Sequence, residues 1–320
     1  MSLKSGSDTQ PSPSSGSKAR SRRDQPDRKS QSSNTSTKSS TDKIKKVLLM
    51  RHGERVDLTF SIHSQNWLTH SLDSSGNYKR FNLNMPDILL DRQEGIFAYA
   101  TDTPLTVIGG LQSKLMGRAL YDASVKIPRR IYCSPALRCV ETAGNMIKSY
   151  GRSGTRCKLN IEPGLFEWCA WFKPSLPRWM SAKEIQTNYG FPVNDKYRPV
   201  YQVSDLSCDE TLNDYYKRSH KVLKTIMQSE NTSMIWIIGH GATLETCTRE
   251  LIGFSKRGKD DFQHILTAIP YMAVMCLEEQ SERSDTWQLV QPPVFPLTHR
   301  GNEAMDWTCF KGNNISKLRS

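Results

Sequence analysis

The stretch VLLMRHGER, residues 47–55, decides the fold, because a continuous apolar run passes directly into a cluster of ionisable side chains. Residues 47–50 show no alternation of apolar and polar types, which is typical of a strand buried on both faces of a sheet. The run MIWIIGHG, residues 234–241, has the same arrangement. The two runs therefore predict two buried strands that each end at a histidine-containing cluster.

Helical patterns lie between these two strands, at about 106–121, 134–147 and 209–227. Thr106 is placed to cap the first helix, whose apolar residues on one side are Leu111, Leu115 and Leu120. Ser134 and Pro135 form an N-cap and first-turn pair that opens the second. Strands that alternate with helices predict an α/β fold with a mostly parallel central sheet flanked by helices.

Two polar stretches, residues 57–102 and 171–201, do not fit this alternation. We expect both to be insertions that fold near the active site and influence substrate choice. The domain prediction is a basic, Ser-rich tail over 1–45, one domain over 46–300, and a C-terminal extension over 301–320.

The net charge of +12 is distributed unevenly along the chain. Residues 1–46 contain 11 Lys or Arg but only 4 Asp or Glu, so they carry seven of the twelve surplus charges. With almost no apolar residues, this segment is expected to be disordered. It suits a nuclear-localisation or nucleic-acid arm, a membrane tether or a phosphorylation platform, and a solubilising tail without a partner is the simplest interpretation. The surplus of five elsewhere argues against nucleic acid as the ligand of the folded domain.

The 8 cysteines include no Cys-x-x-Cys pair, which indicates neither a disulfide framework nor a cysteine zinc site. No apolar run is long enough to cross a bilayer, and the N-terminus lacks the apolar region of a signal peptide. We therefore expect a soluble, unsecreted protein of the cytoplasm, with the nucleus as an alternative.

Arginines and histidines follow the strand-like segments. Arg51, His52 and Arg55 follow the first run, Arg138 lies at the start of the second helix, and His240 follows the second run. Ligands of open α/β sheets bind outside the carboxyl ends of the strands, so we expect these residues to meet in one crevice. Guanidinium groups near helix N-termini suit a phosphate better than a neutral ligand.

This residue set predicts a specific chemistry for a phosphomonoester. A histidine after a buried strand can attack phosphorus and form a phosphohistidine. The leaving group then requires a proton donor, and Glu167 in LFEW, residues 165–168, is the best candidate because apolar neighbours favour a protonated carboxyl. Glu54 is a rival acid.

The ordered set of RHG at 51–53, SPALR at 134–138 and GHG at 239–241 resembles the histidine phosphatase (phosphoglycerate mutase-like) superfamily. Within it, the chain is most similar to the phosphatase module of the suppressor of T-cell receptor signalling (TULA) proteins and to insect ecdysteroid-phosphate phosphatases. The resemblance covers about residues 46–300. The segments that carry it are RHGERVD (51–57), NLNMP (82–86), YCSPALRCVETA (132–143), EPGLFEW (162–168), YRP (197–199) and PPVFPLTH (292–299).

The resemblance implies a role for each candidate residue. His52 would be the nucleophile, and Glu167 would protonate the leaving group and then activate water. The phosphoryl oxygens would be held by Arg51, Arg55, Arg138 and His240. Positioning and electrostatic stabilisation would supply the catalysis, with no metal and no cofactor.

Two departures from the TULA pattern affect the expected partners. We expect the tail to stand in place of the ubiquitin-associated and SH3 domains of those proteins, so we do not carry over their partners. The segment after His240 is Gly241-Ala242-Thr243, whereas the TULA proteins have a sequence similar to His-Ala-Ser-Ser.

The expected substrate is phosphotyrosine protein or a small-molecule phosphomonoester with a bulky aryl or alkyl group. A steroid phosphate is the alternative, since the resembling insect enzymes also lack adaptor domains. A third possibility is a weakly active scaffold that only binds phosphorylated partners. The oligomeric state, including a homodimer, is left open.

Overall fold

The computed structural model describes residues 46–61, 66–280 and 286–294. All of them belong to one compact unit. The predicted tail, the C-terminal extension and the end of the PPVFPLTH segment lie outside the described residues, so these predictions stay open.

Six strands form a mixed sheet in the order β3-β2-β4-β1-β5-β6. Their bounds are Lys46–Arg51 (β1), Arg130–Cys133 (β2), Lys158–Ile161 (β3), Met234–Gly239 (β4), Val274–Glu279 (β5) and Trp287–Val290 (β6). Strands β3, β2, β4 and β1 run parallel, whereas β5 is antiparallel to β1 and β6 to β5. The predicted mostly parallel sheet is confirmed, and the antiparallel edge was not predicted.

The two apolar runs that suggested this fold are the central strands β1 and β4. They pair in parallel, with Leu49 opposite Ile237 and Arg51 opposite Gly239. Residues 47–50 and 235–238 are almost fully buried. Because helices cover both faces of these strands, neither face tolerates polar side chains, and the sequence is continuously apolar.

The α-helices of the described residues differ greatly in length. They are Val56–Thr59 (α1), Trp67–His70 (α2), Val107–Asp122 (α3), Leu137–Ser149 (α4), Ala182–Glu184 (α5), Leu212–Ser229 (α6), Gly241–Thr248 (α7) and Lys259–Thr267 (α8). Core residues of α3 and α4 pack against one face of β1 and β4, and those of α6 and α7 pack against the other. No helix in the described part of the chain is both long and apolar enough to span a membrane.

Helix α3 begins where the sequence predicted but buries a different face. Thr106 accepts a hydrogen bond from the Gly109 amide at 2.9 Å, as expected of an N-cap. Leu120 is buried, but Leu111 and Leu115 are about half exposed. Half of the residues on the buried face are Gly or Ser, because α3 packs very closely against α4 and the loop after β1. The residues of the buried face are Gly109, Gln112, Ser113, Met116, Gly117 and Leu120.

Helix α4 begins later than the sequence predicted, and Ser134 is not its N-cap. The N-cap is Ala136, which has no capping side chain. The Leu137 amide donates instead to the carboxylate of Asp102 at 2.8 Å. A carboxylate from a distant segment therefore caps α4, which leaves the Ser134 hydroxyl available for a contact in the site.

The two polar stretches contribute no strand to the sheet within their described residues. The first contains α1, α2 and a 3-10 helix at Ile96–Ala100, and the second contains α5. Their polar composition and their Pro and Gly residues favour short helices and turns over sheet.

Candidate active site

The carboxyl ends of β2, β4 and β1 lie side by side and carry the candidate residues. The His52 amide donates to the Gly239 carbonyl at 2.9 Å, and the Ser134 amide donates to the Ile238 carbonyl at 3.0 Å. These bonds extend the sheet by one residue and bring both histidines to the same edge. The structure gathers all six predicted residues there: Arg51, His52, Arg55, Arg138, Glu167 and His240.

The His52 ring is held in one tautomer. Its Nδ1 lies 2.7 Å from the Gly53 carbonyl oxygen, and because that oxygen only accepts, Nδ1 carries the proton. The unprotonated Nε2 is thereby left with its lone pair. Burial lowers the pKa of His52 well below its usual value, and the positive charge of Arg138 lowers it further, so the ring is neutral.

Glycine is required beside this histidine by close backbone contacts. A Cβ on Gly53 would lie 2.7 Å from the Gly109 carbonyl oxygen, and a Cβ on Gly109 would lie 2.2 Å from the Glu54 carbonyl oxygen. The Gly53 amide donates to the Thr142 hydroxyl at 3.0 Å. The loop after β1 is thus fixed between the start of α3 and α4, which holds His52 in place.

Arg138 is fully buried and only partly satisfied. Its Nη2 donates to Oε1 of Glu167 and lies 3.2 Å from Nδ1 of His240. Its Nε and Nη1 have no hydrogen-bond partner among the described residues. Buried donors without a partner carry a substantial cost, and an oxyanion satisfies guanidinium donors especially well. The donor set therefore fits a phosphoryl group.

His240 lies between Arg138 and the end of β2. Because a guanidinium only donates, Nδ1 of His240 accepts from Arg138, and Nε2 donates to the Ser134 hydroxyl at 2.8 Å. The His240 and His52 ring centroids are 5.4 Å apart. Burial lowers the pKa of His240 well below its usual value, and the nearby Arg138 lowers it further.

The other two arginines are held by partners that the sequence did not reveal. Arg55 binds both carboxylate oxygens of Asp57, each at 2.6 Å. Arg51 donates to the Ile269 carbonyl, and its guanidinium carbon lies 4.4 Å from the centre of the Tyr271 ring. These contacts fix the orientation of the two guanidinium groups.

The two candidate acids have very different surroundings. Oε1 of Glu167 hydrogen bonds to Arg138 and lies 3.7 Å from both Nη1 of Arg55 and Nδ1 of His240. Its carboxylate therefore contacts cations, and the expectation of apolar surroundings for this group was wrong. Glu54 is buried and accepts from Asn84 and Thr106 at 2.7 Å each, so it tethers the loop after β1 to α3.

The site combines three guanidinium groups and two neutral imidazoles with a single carboxylate at its centre. Such a cationic cluster binds a dianion and repels a metal ion. Within the described ranges, no three His, Cys, Asp or Glu side chains form a group that could hold a metal.

At the carboxyl edge of this α/β sheet, an unprotonated imidazole nitrogen lies among arginines. This combination is typical of a protein that binds or transfers phosphoryl groups. Sequence comparison assigns the family. The model of the histidine phosphatase superfamily (branch 1) matches residues 90–289, more than half of the chain, and the chain belongs to this superfamily. The matched range contains Arg138, Glu167 and His240, whereas Arg51 and His52 precede it.

Several characterised proteins are similar to the chain. It is 36% identical over 267 residues to the ecdysteroid-phosphate phosphatase of Drosophila melanogaster, which covers 83% of this chain and 34% of the relative. It is 38% identical over 264 residues to ubiquitin-associated and SH3 domain-containing protein B of Mus musculus, covering 82% and 40%. The chain thus spans about a third to two fifths of these relatives.

A crystal structure of the ecdysone phosphate phosphatase from Bombix mori in complex with tungstate has the same fold. It superposes with a TM-score of 0.67 at 30% sequence identity, covering 83% of this chain and 99% of that chain. The predicted phosphoglycerate mutase-like fold is confirmed. The superfamily and the named phosphatases support the predicted enzyme class, a phosphoric monoester hydrolase.

Sequence reasoning missed several supporting residues of the site. Asp57 lies inside the RHGERVD motif, so its position two residues after Arg55 was a usable signal. Ser134 was noticed but placed in a helix cap. Thr142 lies inside the YCSPALRCVETA motif, four residues after Arg138, so it also had a usable signal. Tyr271 carries no local signal, because it reaches the site from a segment distant in sequence.

Proposed function

We propose that the chain hydrolyses phosphomonoesters through a phosphohistidine formed on His52. The observation that carries the proposal is the pairing of a neutral imidazole, whose Nε2 is unprotonated, with the buried Arg138, whose Nε and Nη1 have no partner in the described residues. A nucleophile beside unsatisfied cationic donors is the arrangement that phosphoryl transfer requires.

In the first step, Nε2 of His52 attacks phosphorus and the bond to the ester oxygen breaks. The guanidinium groups of Arg51, Arg55 and Arg138 stabilise the equatorial oxygens. Glu167 gives its proton to the leaving oxygen. The carboxyl regains this proton in the second step, so the proton transfers of the cycle balance.

In the second step, the Glu167 carboxylate takes a proton from water as the water oxygen attacks phosphorus. The bond between phosphorus and Nε2 breaks, which releases inorganic phosphate and restores His52. His240 assists both steps by orienting Arg138, because its Nδ1 accepts a hydrogen bond from Nη2 of that guanidinium at 3.2 Å.

We propose phosphotyrosine protein or a bulky aryl or alkyl phosphate as the substrate. Aromatic residues next to the acid in the sequence support a bulky leaving group. Trp168 follows Glu167 directly and its ring packs edge-on against Trp171 at 5.6 Å, and Trp171 is 43% exposed. A steroid phosphate is the second candidate, favoured by the two similar proteins whose names refer to ecdysteroid or ecdysone phosphate.

The nucleophile is tested with p-nitrophenyl phosphate and with radiolabelled substrate. His52→Ala should lower turnover by at least about 10³-fold, whereas His264→Ala, a change at an exposed histidine of α8, should not. Acid-quenched wild-type protein should retain labelled phosphate on His52. Equal rates for wild type and His52→Ala, or label on Ser, Cys or Asp, would overturn the mechanism.

The substrate class is tested by comparing kcat/KM on phosphotyrosine peptides and on steroid phosphates with the same preparation. A preference for the peptides supports the first substrate, and a preference for the steroid phosphates supports the second. A wild-type protein that binds both ligands but hydrolyses neither would indicate a phosphate-binding scaffold.

A further inference from the structure

The segment that carries Glu167 has no place in the sheet. It connects the end of β3 at Ile161 to a 3-10 helix at Cys169–Phe172. Residues 163–167 are nevertheless buried. Buried backbone carbonyls need donors, and a segment outside a sheet or a long helix must find them elsewhere.

Arg218 of α6 supplies those donors. Its Nη1 donates to the carbonyls of Gly164 at 2.8 Å and Phe166 at 2.9 Å. Its Nη2 donates to the carbonyl of Glu167 at 3.3 Å. One guanidinium on a rigid helix therefore binds three carbonyls of the segment, including that of Glu167 itself.

Glu210 completes this arrangement from the residue before the N-cap of α6. Its carboxylate accepts from Nε of Arg218 at 2.6 Å and from Nη2 at 2.8 Å. It also accepts from the Cys169 amide at 3.2 Å, and its backbone carbonyl accepts from Nε1 of Trp168 at 2.9 Å. The segment is thus bound on both sides of Glu167.

The contacts engage all five N–H groups of Arg218, and the residue is only 3% exposed. Lysine has three donors on one nitrogen and cannot reach three carbonyls and a carboxylate in this geometry. The contacts are therefore specific to the planar guanidinium.

We infer that Arg218, with Glu210, is a positioning residue for Glu167. The inference rests on the proposed role of Glu167 as the acid. Arg218 does not touch the phosphoryl group in this arrangement. It sets the distance between the Glu167 carboxyl and the leaving oxygen, and proton transfer is sensitive to that distance because donor and acceptor must come within hydrogen-bond reach.

A residue that only stabilises the fold would alter all substrates alike, so the test uses substrates that differ in their need for an acid. We would measure kcat/KM for phenyl, p-nitrophenyl and 2,4-dinitrophenyl phosphate, whose leaving groups become progressively better. The ratio kcat/KM covers the steps up to loss of the leaving group, where the acid acts. Glu167→Gln provides the reference pattern.

Arg218→Lys should lower kcat/KM by about 10- to 100-fold for phenyl phosphate and by less than about 3-fold for 2,4-dinitrophenyl phosphate. Glu210→Gln should show the same trend with a smaller amplitude, and it carries the test if Arg218→Lys does not fold. The matched control is Ile226→Val, a core change on the same helix that leaves the Glu167 segment intact.

A uniform loss across the three substrates, or no loss, in folded Arg218→Lys and Glu210→Gln would overturn the inference, provided that Glu167→Gln shows the leaving-group dependence. If Glu167→Gln itself shows no such dependence, the proposed role of Glu167 is wrong. The two failures are therefore distinguishable.

Discussion

Arg138 and Arg218 are both buried arginines that contact Glu167, yet they differ in how their donors are used. Arg218 binds Glu210 and three backbone carbonyls with all five N–H groups. Arg138 shares the Glu167 carboxylate with Arg55, and its Nε and Nη1 have no partner in the described part of the chain. A satisfied guanidinium organises the fold, and an unsatisfied one indicates where a ligand binds.

The energetic consequence follows from the cost of burying donors. Each buried polar group without a partner costs about 1–3 kcal/mol, so the surroundings of Arg138 are less stable than those of Arg218. Functional sites commonly keep such costs because the ligand removes them. The regions around Arg138 and Arg218 should therefore respond oppositely to mutation, to ligand and to pH.

The largest expected effect separates activity from stability at the two arginines. Arg138→Gln should lower kcat/KM by about 10³-fold, because it removes donors that act on the transition state. The same variant should change the free energy of unfolding by less than about 1 kcal/mol. Arg218→Gln should lower that free energy by about 3 kcal/mol, because it leaves the Glu210 charge and three carbonyls unpaired. Urea unfolding and steady-state kinetics measure both. Similar stability losses in the two variants would contradict the comparison.

A second, smaller effect concerns an oxyanion probe. Tungstate at 100 times its Kd should stabilise wild type by about 2.7 kcal/mol, because it binds only the folded state. In Arg138→Gln the stabilisation by tungstate should fall to near zero at the same tungstate concentration. In Arg218→Gln most of the stabilisation by tungstate should remain, although the Tm without tungstate is lower. Thermal unfolding with and without tungstate distinguishes these cases, and an undiminished increment in Arg138→Gln would show that Arg138 does not bind the oxyanion.

The smallest effect is the pH dependence of stability. Both pocket histidines have a pKa well below the usual value in the folded state, so below about pH 6.5 the unfolded chain binds more protons than the folded one. The free energy of unfolding should therefore decrease as pH falls, by at most about 1.4 kcal/mol per pH unit for each histidine.

His52→Asn and His240→Asn should each reduce this pH slope, whereas Asn at the exposed His264 should not. Urea unfolding between pH 5 and 7.5 measures the slope. Burial and Arg138 are the main causes of the lowered pKa of His240, and Arg218 is a minor one, so the Arg218→Gln variant should retain most of the wild-type slope even though its stability is lower. A slope unaffected by either pocket substitution would argue against neutral, buried histidines.

The sequence alone was sufficient for the central strands, and it named six candidate residues that the structure brings together. Continuous apolar runs at 47–50 and 235–238 indicate burial on both faces directly, because neighbouring residues in a strand point to opposite faces of the sheet. The parallel pairing of those strands then brings His52 and His240 to one edge. The antiparallel strands β5 and β6 were missed, although residues 274–277 of β5 form a continuous apolar run; the four-residue strand β6 has no such run.

Helix faces and caps were predicted less well. The three leucines of α3 suggested its core side, but close packing at Gly109 and Gly117 places the small-residue face inward instead. Ser134 matched a cap signature, yet Asp102 caps α4 from 35 residues away. A local sequence pattern indicates which hydrogen bonds and contacts a residue is able to make. Competing partners from elsewhere in the chain determine which of these contacts forms.

What the sequence by itself determined is the apolar framework, the superfamily motifs and the cationic character of a phosphate site. Only the tertiary structure decided how each charged group is used. Glu54 tethers the loop after β1, and Glu167 lies among cations. Arg218 contacts three carbonyls, whereas Nε and Nη1 of Arg138 have no partner in the described residues. The physical reason is that burial determines which positions along a strand or helix are apolar, and this pattern can be read from the sequence. A hydrogen-bond partner is set by the packing of distant segments, and no residue spacing encodes it.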